Sequence, residues 1–202
     1  MKRRSLPAIL MTLTLLSLAA CDFGSGSRVT DKSNEQVSGP TPFSYDIKND
    51  LEFIDLMVPH HQLAVDMARL AEEKAVRGEL KGMAGDIIWA QADEINRMNI
   101  WRKELGAGAS TVLPTSHSGS GGHAADPHMM GMDVDLDKLA ASPNFDQDFI
   151  EAMLPHHQSA IDMSRSAMPN LKKTEVRDLA NDIITTQQTE IDRMLGWQKE
   201  WK

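Results

Sequence analysis

The stretch FIDLMVPHHQLAVDMA, Phe53 to Ala68, returns as FIEAMLPHHQSAIDMS, Phe149 to Ser164, an offset of 96 residues that holds without a gap to the end of the chain. In the first copy Phe53, Met57, His60, Ala64, Met67 and Ala71 fall at spacings of four and three, and Ile54, Val58, His61, Val65 and Ala68 form the adjoining row. Apolar residues so spaced line one broad face of a helix. Asp55, Gln62, Asp66 and Arg69 fall on its polar flank. Phe149, Met153, His156, Ala160, Met163 and Ala167 repeat the stripe in the second copy.

Working outward, each stretch leads into a second amphipathic segment. A helix is expected from about Glu79 to Leu105, striped by Met83, Ile87, Gln91, Glu94, Met98, Trp101 and Leu105, with Gly106 and Gly108 as its stop. Gly78 suits the C-terminal cap of the helix before it. In the second copy Ser142-Pro143 offers an N-cap and a first helical residue. Pro169-Asn170 breaks that helix, and Thr174 is placed to cap the next, striped by Leu179, Ile183, Gln187, Glu190, Met194, Trp197 and Trp201. One helical hairpin cannot bury a face this wide. Two related hairpins packed face to face can, which predicts an all-α four-helix bundle with approximate two-fold symmetry. Two separately folding repeats would each have too small a core.

The chemistry lies on the inward stripes. Consecutive helical residues point about 100° apart, so one histidine of each pair can face the bundle centre while the other faces a neighbouring helix. Met57 precedes His60 by three residues and His61 by four, within reach of either imidazole. Met67 lies further along, and Met153, His156, His157 and Met163 repeat the set. Imidazole suits copper, zinc, iron and nickel, whereas thioether selects soft ions, above all Cu(I). Zinc more usually recruits Cys or carboxylate beside His. Copper is therefore the expected ion, Cu(I) favoured, with Ag(I) as a mimic. The alternative is that these are core histidines and packing methionines, but the recurrence of the His pair, the Gln and both Met at fixed spacing favours ligands.

Gln91, Glu94, Gln187 and Glu190 interrupt the stripes of the second and fourth helices. A buried carboxylate needs a partner, and a metal-bound imidazole commonly donates its other nitrogen to one. These four are the expected supports of the histidines. Outward pairing of Glu94 with Arg97 or Arg102 is the alternative. Pro59 and Pro155 either interrupt the backbone bonding of a helix, releasing the carbonyl of Asp55 or Glu151, or begin a new helix.

Residues 1–20 read as a lipoprotein signal peptide: Lys2, Arg3 and Arg4, an apolar run too short for a transmembrane helix, and Leu18-Ala19-Ala20 before Cys21, the single cysteine. Cleavage there would leave Cys21 to carry a lipid, and loss of the three basic residues takes the formal charge from −8 to −11. The expected destination is the cell envelope, on the periplasmic side of the membrane in a Gram-negative host. Residues 21–43, rich in Gly, Ser and polar residues, read as a flexible tether. The duplicated domain spans 44–202: repeat 1 at 44–106, a crossover at 107–141 and repeat 2 at 142–202. The crossover is Gly- and Ser-rich and carries His117, His123, His128, Met129, Met130 and Met132, a second ligand-rich tract. A short helical turn is expected within Asp133 to Ala141. The acidic chain lacks the basic stripe of a nucleic-acid binder, and methionine is over-used, at 13 residues.

The PHHQ copies, the DIIWAQADEINRMNIW segment and its counterpart, and the MMGM tract resemble the domain-of-unknown-function 305 family from Tyr45 to Trp201. The resemblance implies a ferritin-like bundle exported by bacteria, in a family that includes a periplasmic copper-binding protein. It carries over Met57, His60, His61, Met67, Met153, His156, His157 and Met163 as ligand candidates, and adds Met98 and Met194. The expected function is that of an exported copper-binding lipoprotein that sequesters copper or passes it to a transfer partner, without catalysis. The competing readings are an envelope interaction module that holds no metal, and a ferritin-like metal oxidase. The oxidase needs inward carboxylates and Glu-x-x-His pairs, and neither hairpin contains Glu-x-x-His.

Overall fold

The computed structural model describes residues 44–106 and 131–201, all within one compact unit of the chain, Pro40–Lys202. The signal peptide, Cys21, the tether, and His117, His123, His128, Met129 and Met130 lie outside the described residues. Four long helices form the unit: α1 (Asp50–Lys74), α2 (Gly78–Glu104), α4 (Phe145–Ala167) and α5 (Thr174–Glu200), with the short α3 (Leu136–Ala140) leading into α4. α1 packs on α2, α4 packs on α5, and the hairpins meet chiefly through α1 and α4, while α2 and α5 touch lightly. This is an all-α four-helix bundle of two helical hairpins, as the periodicity predicted, and of the ferritin-like kind that the family resemblance implied. Among the described residues no helix is long and apolar enough to cross a membrane.

The helix ends differ from the sequence-based expectation in three places. Gly78 opens α2 rather than closing α1, which already ends at Lys74 with Ala75 as its cap. α4 starts at Phe145 with Asn144 at its N-cap. Ser142 instead folds the approach to it, accepting from the Asn144 amide at 3.0 Å and donating to Asp148 at 2.6 Å. Thr174 is the first residue of α5 rather than its cap.

The N-termini of α2 and α5 have no side-chain cap from their own sequence. Each is capped by the other repeat. Asp50, in the first turn of α1, accepts from the Lys172 and Lys173 amides at 3.0 and 3.1 Å. Asp146, its counterpart in α4, accepts from the Val76 and Arg77 amides at 2.9 and 3.0 Å. A carboxylate is well placed there, because helix N-terminal amides carry positive partial charge. The exchange ties the two hairpins together at both ends of the bundle.

Pro59 and Pro155 lie inside uninterrupted helices, so neither begins a new one. Each withholds one backbone N–H from the turn before the His pair. The core divides into two clusters. One contains Met57, Met98 and Met163 with Phe53, Ile54 and Leu179. The other contains Met67, Met153 and Met194 with Phe149, Ile150 and Met83. By the 96-residue equivalence each methionine trio is the image of the other, and each draws on both hairpins.

Candidate metal centre

All four paired histidines are fully buried. They sit where α1 packs on α4, because positions 60 and 156 continue the apolar stripes. His60 and His156 meet across the interface with ring centroids 3.7 Å apart and planes tilted by 37°. His61 and His157 flank them, each about 6 Å from its neighbour in sequence (6.3 and 6.2 Å).

The flanking histidines are held by carboxylates. His61 Nε2 lies 2.8 Å from Glu94 Oε2, and His157 Nε2 lies 2.7 Å from Glu190 Oε2. An ionised carboxylate only accepts, so Nε2 carries a proton and donates, and in the neutral ring Nδ1 is the nitrogen with the lone pair. Neither Nδ1 has a hydrogen-bond partner. Glu94 does not turn outward. Arg97 pairs with Asp93 and Arg102 with Asp55 instead.

The central pair is not symmetric. Ser159 Oγ donates to the His156 carbonyl at 2.8 Å, which commits its one proton, and so accepts from His60 Nε2 at 2.7 Å. His156 has no hydrogen-bond partner at either ring nitrogen. Burial, then the neighbouring imidazoles of His60, His157 and His61, push its pKa well below the usual histidine value against a smaller upward pull from the His60 backbone, so the ring is neutral, and at hydrogen-bonding geometry both its donor and its acceptor are unmet. A buried polar group left so costs about 1–3 kcal/mol. A lone pair without a proton is also what a metal ion requires.

Met57, Met67, Met98, Met153, Met163 and Met194 are all fully buried. The structure does not gather them into one set. Met57 and Met67 are ten residues apart on α1, about 15 Å along its axis, and they fall in different clusters. Met132 is partly buried against the cluster of Met57, Met98 and Met163. Gln91 and Gln187 are buried with their Oε1 atoms unpartnered. Among the described residues no three His, Cys, Asp or Glu side chains converge as a metal site. The donors the structure brings together are imidazoles, a set that suits copper, zinc, iron or nickel.

Two contributors escaped the sequence reading. Ser159 stands where the first repeat has Leu63, so the departure from the repeat was itself the signal. Gly131, at φ +64°, lies against α4: a Cβ there would stand 2.8 Å from His156 Cα and 2.9 Å from Ser159 Oγ. Only glycine adopts that backbone at so close an approach without strain.

The fold and site define a helical bundle with buried, carboxylate-supported imidazoles. The chain belongs to the family described as Domain of unknown function (DUF305), whose model matches residues 50–198. It is similar to CopM, solved in a Cu(II)-bound form, with 37% identity and a TM-score of 0.68 over 79% of this chain and 100% of that one. CopM has also been solved in Cu(I)-bound and Ag-bound forms. A DUF305 fragment from Deinococcus radiodurans is 26% identical, with a TM-score of 0.62 over 73% of this chain and 93% of its own. The uncharacterized protein L153 of Acanthamoeba polyphaga mimivirus is 41% identical over 49 residues, a match spanning 32% of its length.

Proposed function

We propose that this protein binds copper ions as cargo in the cell envelope, sequestering them or handing them on, with Cu(I) favoured. The observation that carries this reading is His156: a fully buried, neutral imidazole with neither ring nitrogen hydrogen-bonded. A purely structural histidine so placed would acquire a partner. His60, His61 and His157 lie beside it, and Glu94 and Glu190 fix the tautomer that leaves Nδ1 of His61 and His157 open. Histidine nitrogens would hold the ion, with thioethers of the two methionine trios completing its surroundings. The likeness to CopM in its copper- and silver-bound forms supports the same ion class. Binding and release need no turnover, so the protein acts as a carrier or store rather than an enzyme. Anchoring through a lipid on Cys21 would keep the cargo at the membrane, and residues 107–130 would supply further, looser ligands.

Anaerobic titration of the purified protein with Cu(I) against a competing chelator tests this. Tight binding should weaken at least tenfold in His156→Asn and in the variant with all four histidines changed to Ala, each checked for native helicity. Unchanged affinity in both would overturn the histidine site in favour of the crossover. No binding at all would favour an interaction module.

A further inference from the structure

The four histidines are fully buried, so an ion must reach them through the protein. We propose that the cleft between α2 and α5 is that route, with Glu94 and Glu190 as the groups that receive a cation from solvent and pass it to the imidazoles. The cleft encloses about 270 Å³ and is lined by three pairs of positions related by the repeat: Ala90 and Thr186, Gln91 and Gln187, Glu94 and Glu190. Asp86 and Trp89 of α2 complete the lining without counterparts from α5, so the cleft lies between the hairpins with more of its wall from the first.

Three observations support the route. The same carboxylates that line the cleft are hydrogen-bonded to His61 and His157, so one side chain spans the distance from open water to a buried ring. Their side chains are 9% and 16% exposed against 0% for the histidines, a gradient pointing inward. Gln91 and Gln187, 3% and 2% exposed, line the cleft with unpartnered Oε1 atoms. Such oxygens are what a cation shedding water needs, and their burial without a partner is otherwise a cost. Two larger cavities, around Asp135 and around Trp201, carry no side chain bonded to a histidine.

In this route a cation is drawn to the carboxylates and exchanges water for Gln oxygens. The hydrogen bond from Nε2 to the carboxylate then loosens, and the ring turns its proton-free Nδ1 toward the ion while Nε2 keeps its proton. The identity of the cargo rests on the copper reading above. The route itself does not.

The test plugs the cleft with Ala90→Trp and Thr186→Trp, at lining positions that bond no histidine. Stopped-flow loading of Cu(I) should slow at least tenfold while equilibrium affinity stays within twofold. Glu94→Gln with Glu190→Gln should slow loading similarly. An unchanged loading rate in the plugged protein overturns the route. A second readout needs no metal: hydrogen–deuterium exchange at the ring C2 position of His61 and His157, followed by NMR, should slow several-fold in the plugged protein. If the unaltered protein binds no Cu(I), the functional reading fails, and the exchange rates alone decide the route. Exchange that is equally fast with the cleft plugged then overturns it.

Discussion

At position 63 the first repeat has leucine, and at the equivalent position 159 the second has serine. That single departure separates two imidazoles that the duplication would otherwise make alike. His60 is fixed by Ser159, whereas the residue that would serve His156 is Leu63, which has no polar atom to give. One ring of the central pair is thus tethered and its partner is open. The lesson is that duplication supplies a symmetric frame, and small drift within it assigns different tasks to matched residues. A site that must both hold and release an ion gains from such a division: one ring preorganised by its hydrogen bond, the other unbound by the protein.

Making the repeats alike should have the largest effect. Ser159→Leu removes the acceptor for His60 Nε2, leaving a buried donor unmet at about 1–3 kcal/mol. It also forces a bulky side chain against Gly131 and the α4 backbone, where space is already closed, for a further ~1–3 kcal/mol of overpacking. Urea denaturation should show a loss of about 3 kcal/mol or more. A loss under about 1 kcal/mol would mean that the contact between Ser159 and His60 contributes little, by the same hydrogen-bond scale.

The flanking pairs offer a gentler comparison. Glu94 and Glu190 make near-identical bonds to His61 and His157, but the Glu190 side chain is 16% exposed and that of Glu94 is 9%. Glu94→Ala should cost about 2–3 kcal/mol, because the His61 N–H is then buried without an acceptor. Glu190→Ala should cost about 1 kcal/mol less, since water can reach the vacated place. Equal losses in the two variants would show that both sites are equally dry.

Much of the bundle was legible in the sequence. The stripes of Phe, Met, His and Ala at helical spacing mark which face turns inward, and Gln91 and Glu94 stand out as polar residues on such a face. What stayed hidden depends on pairings between distant positions. Periodicity puts Met57 and Met67 on one face, but it cannot show that they join different clusters, because that depends on how α1 packs on α4. The caps of α2 and α5 were unreadable for the same reason. Val76, Arg77, Lys172 and Lys173 are not capping residues, and the carboxylates that serve them lie about seventy residues or more away. Ser142 looked like a helix start because its hydroxyl does bond a nearby amide, in a turn just before Asn144.

Those exchanged caps allow the next comparison. Asp50 is 6% exposed and bonds two amides of the α5 approach, while Asp146 is more open. Loss of a capping side chain costs about 0.5–2 kcal/mol. Asp50→Ala should fall at the upper end and Asp146→Ala at the lower, read from thermal or urea unfolding. A reversed order would place the stronger tie between the hairpins at the α2 end.

The smallest effect at neutral pH separates the segments that precede the two repeats. Tyr45 packs under α4, with its amide donating to Ser166 Oγ at 3.0 Å. Its counterpart is Ala141. Burial, and secondarily the charge of Asp162, push the Tyr45 phenol up from 10.0 to about 12. The folded chain therefore keeps this proton after the unfolded chain has begun to lose it. The contribution is complete below pH 10 and is lost as pH rises through about 12. Tyr45→Phe should cost about 1 kcal/mol or less at pH 7, where only a neutral hydroxyl is removed. Between pH 10 and 12 the phenylalanine variant should lose stability less steeply than the parent, because it has no phenol to ionise. Parallel curves across that range would show that the phenol ionises as readily in the folded chain as in the unfolded one.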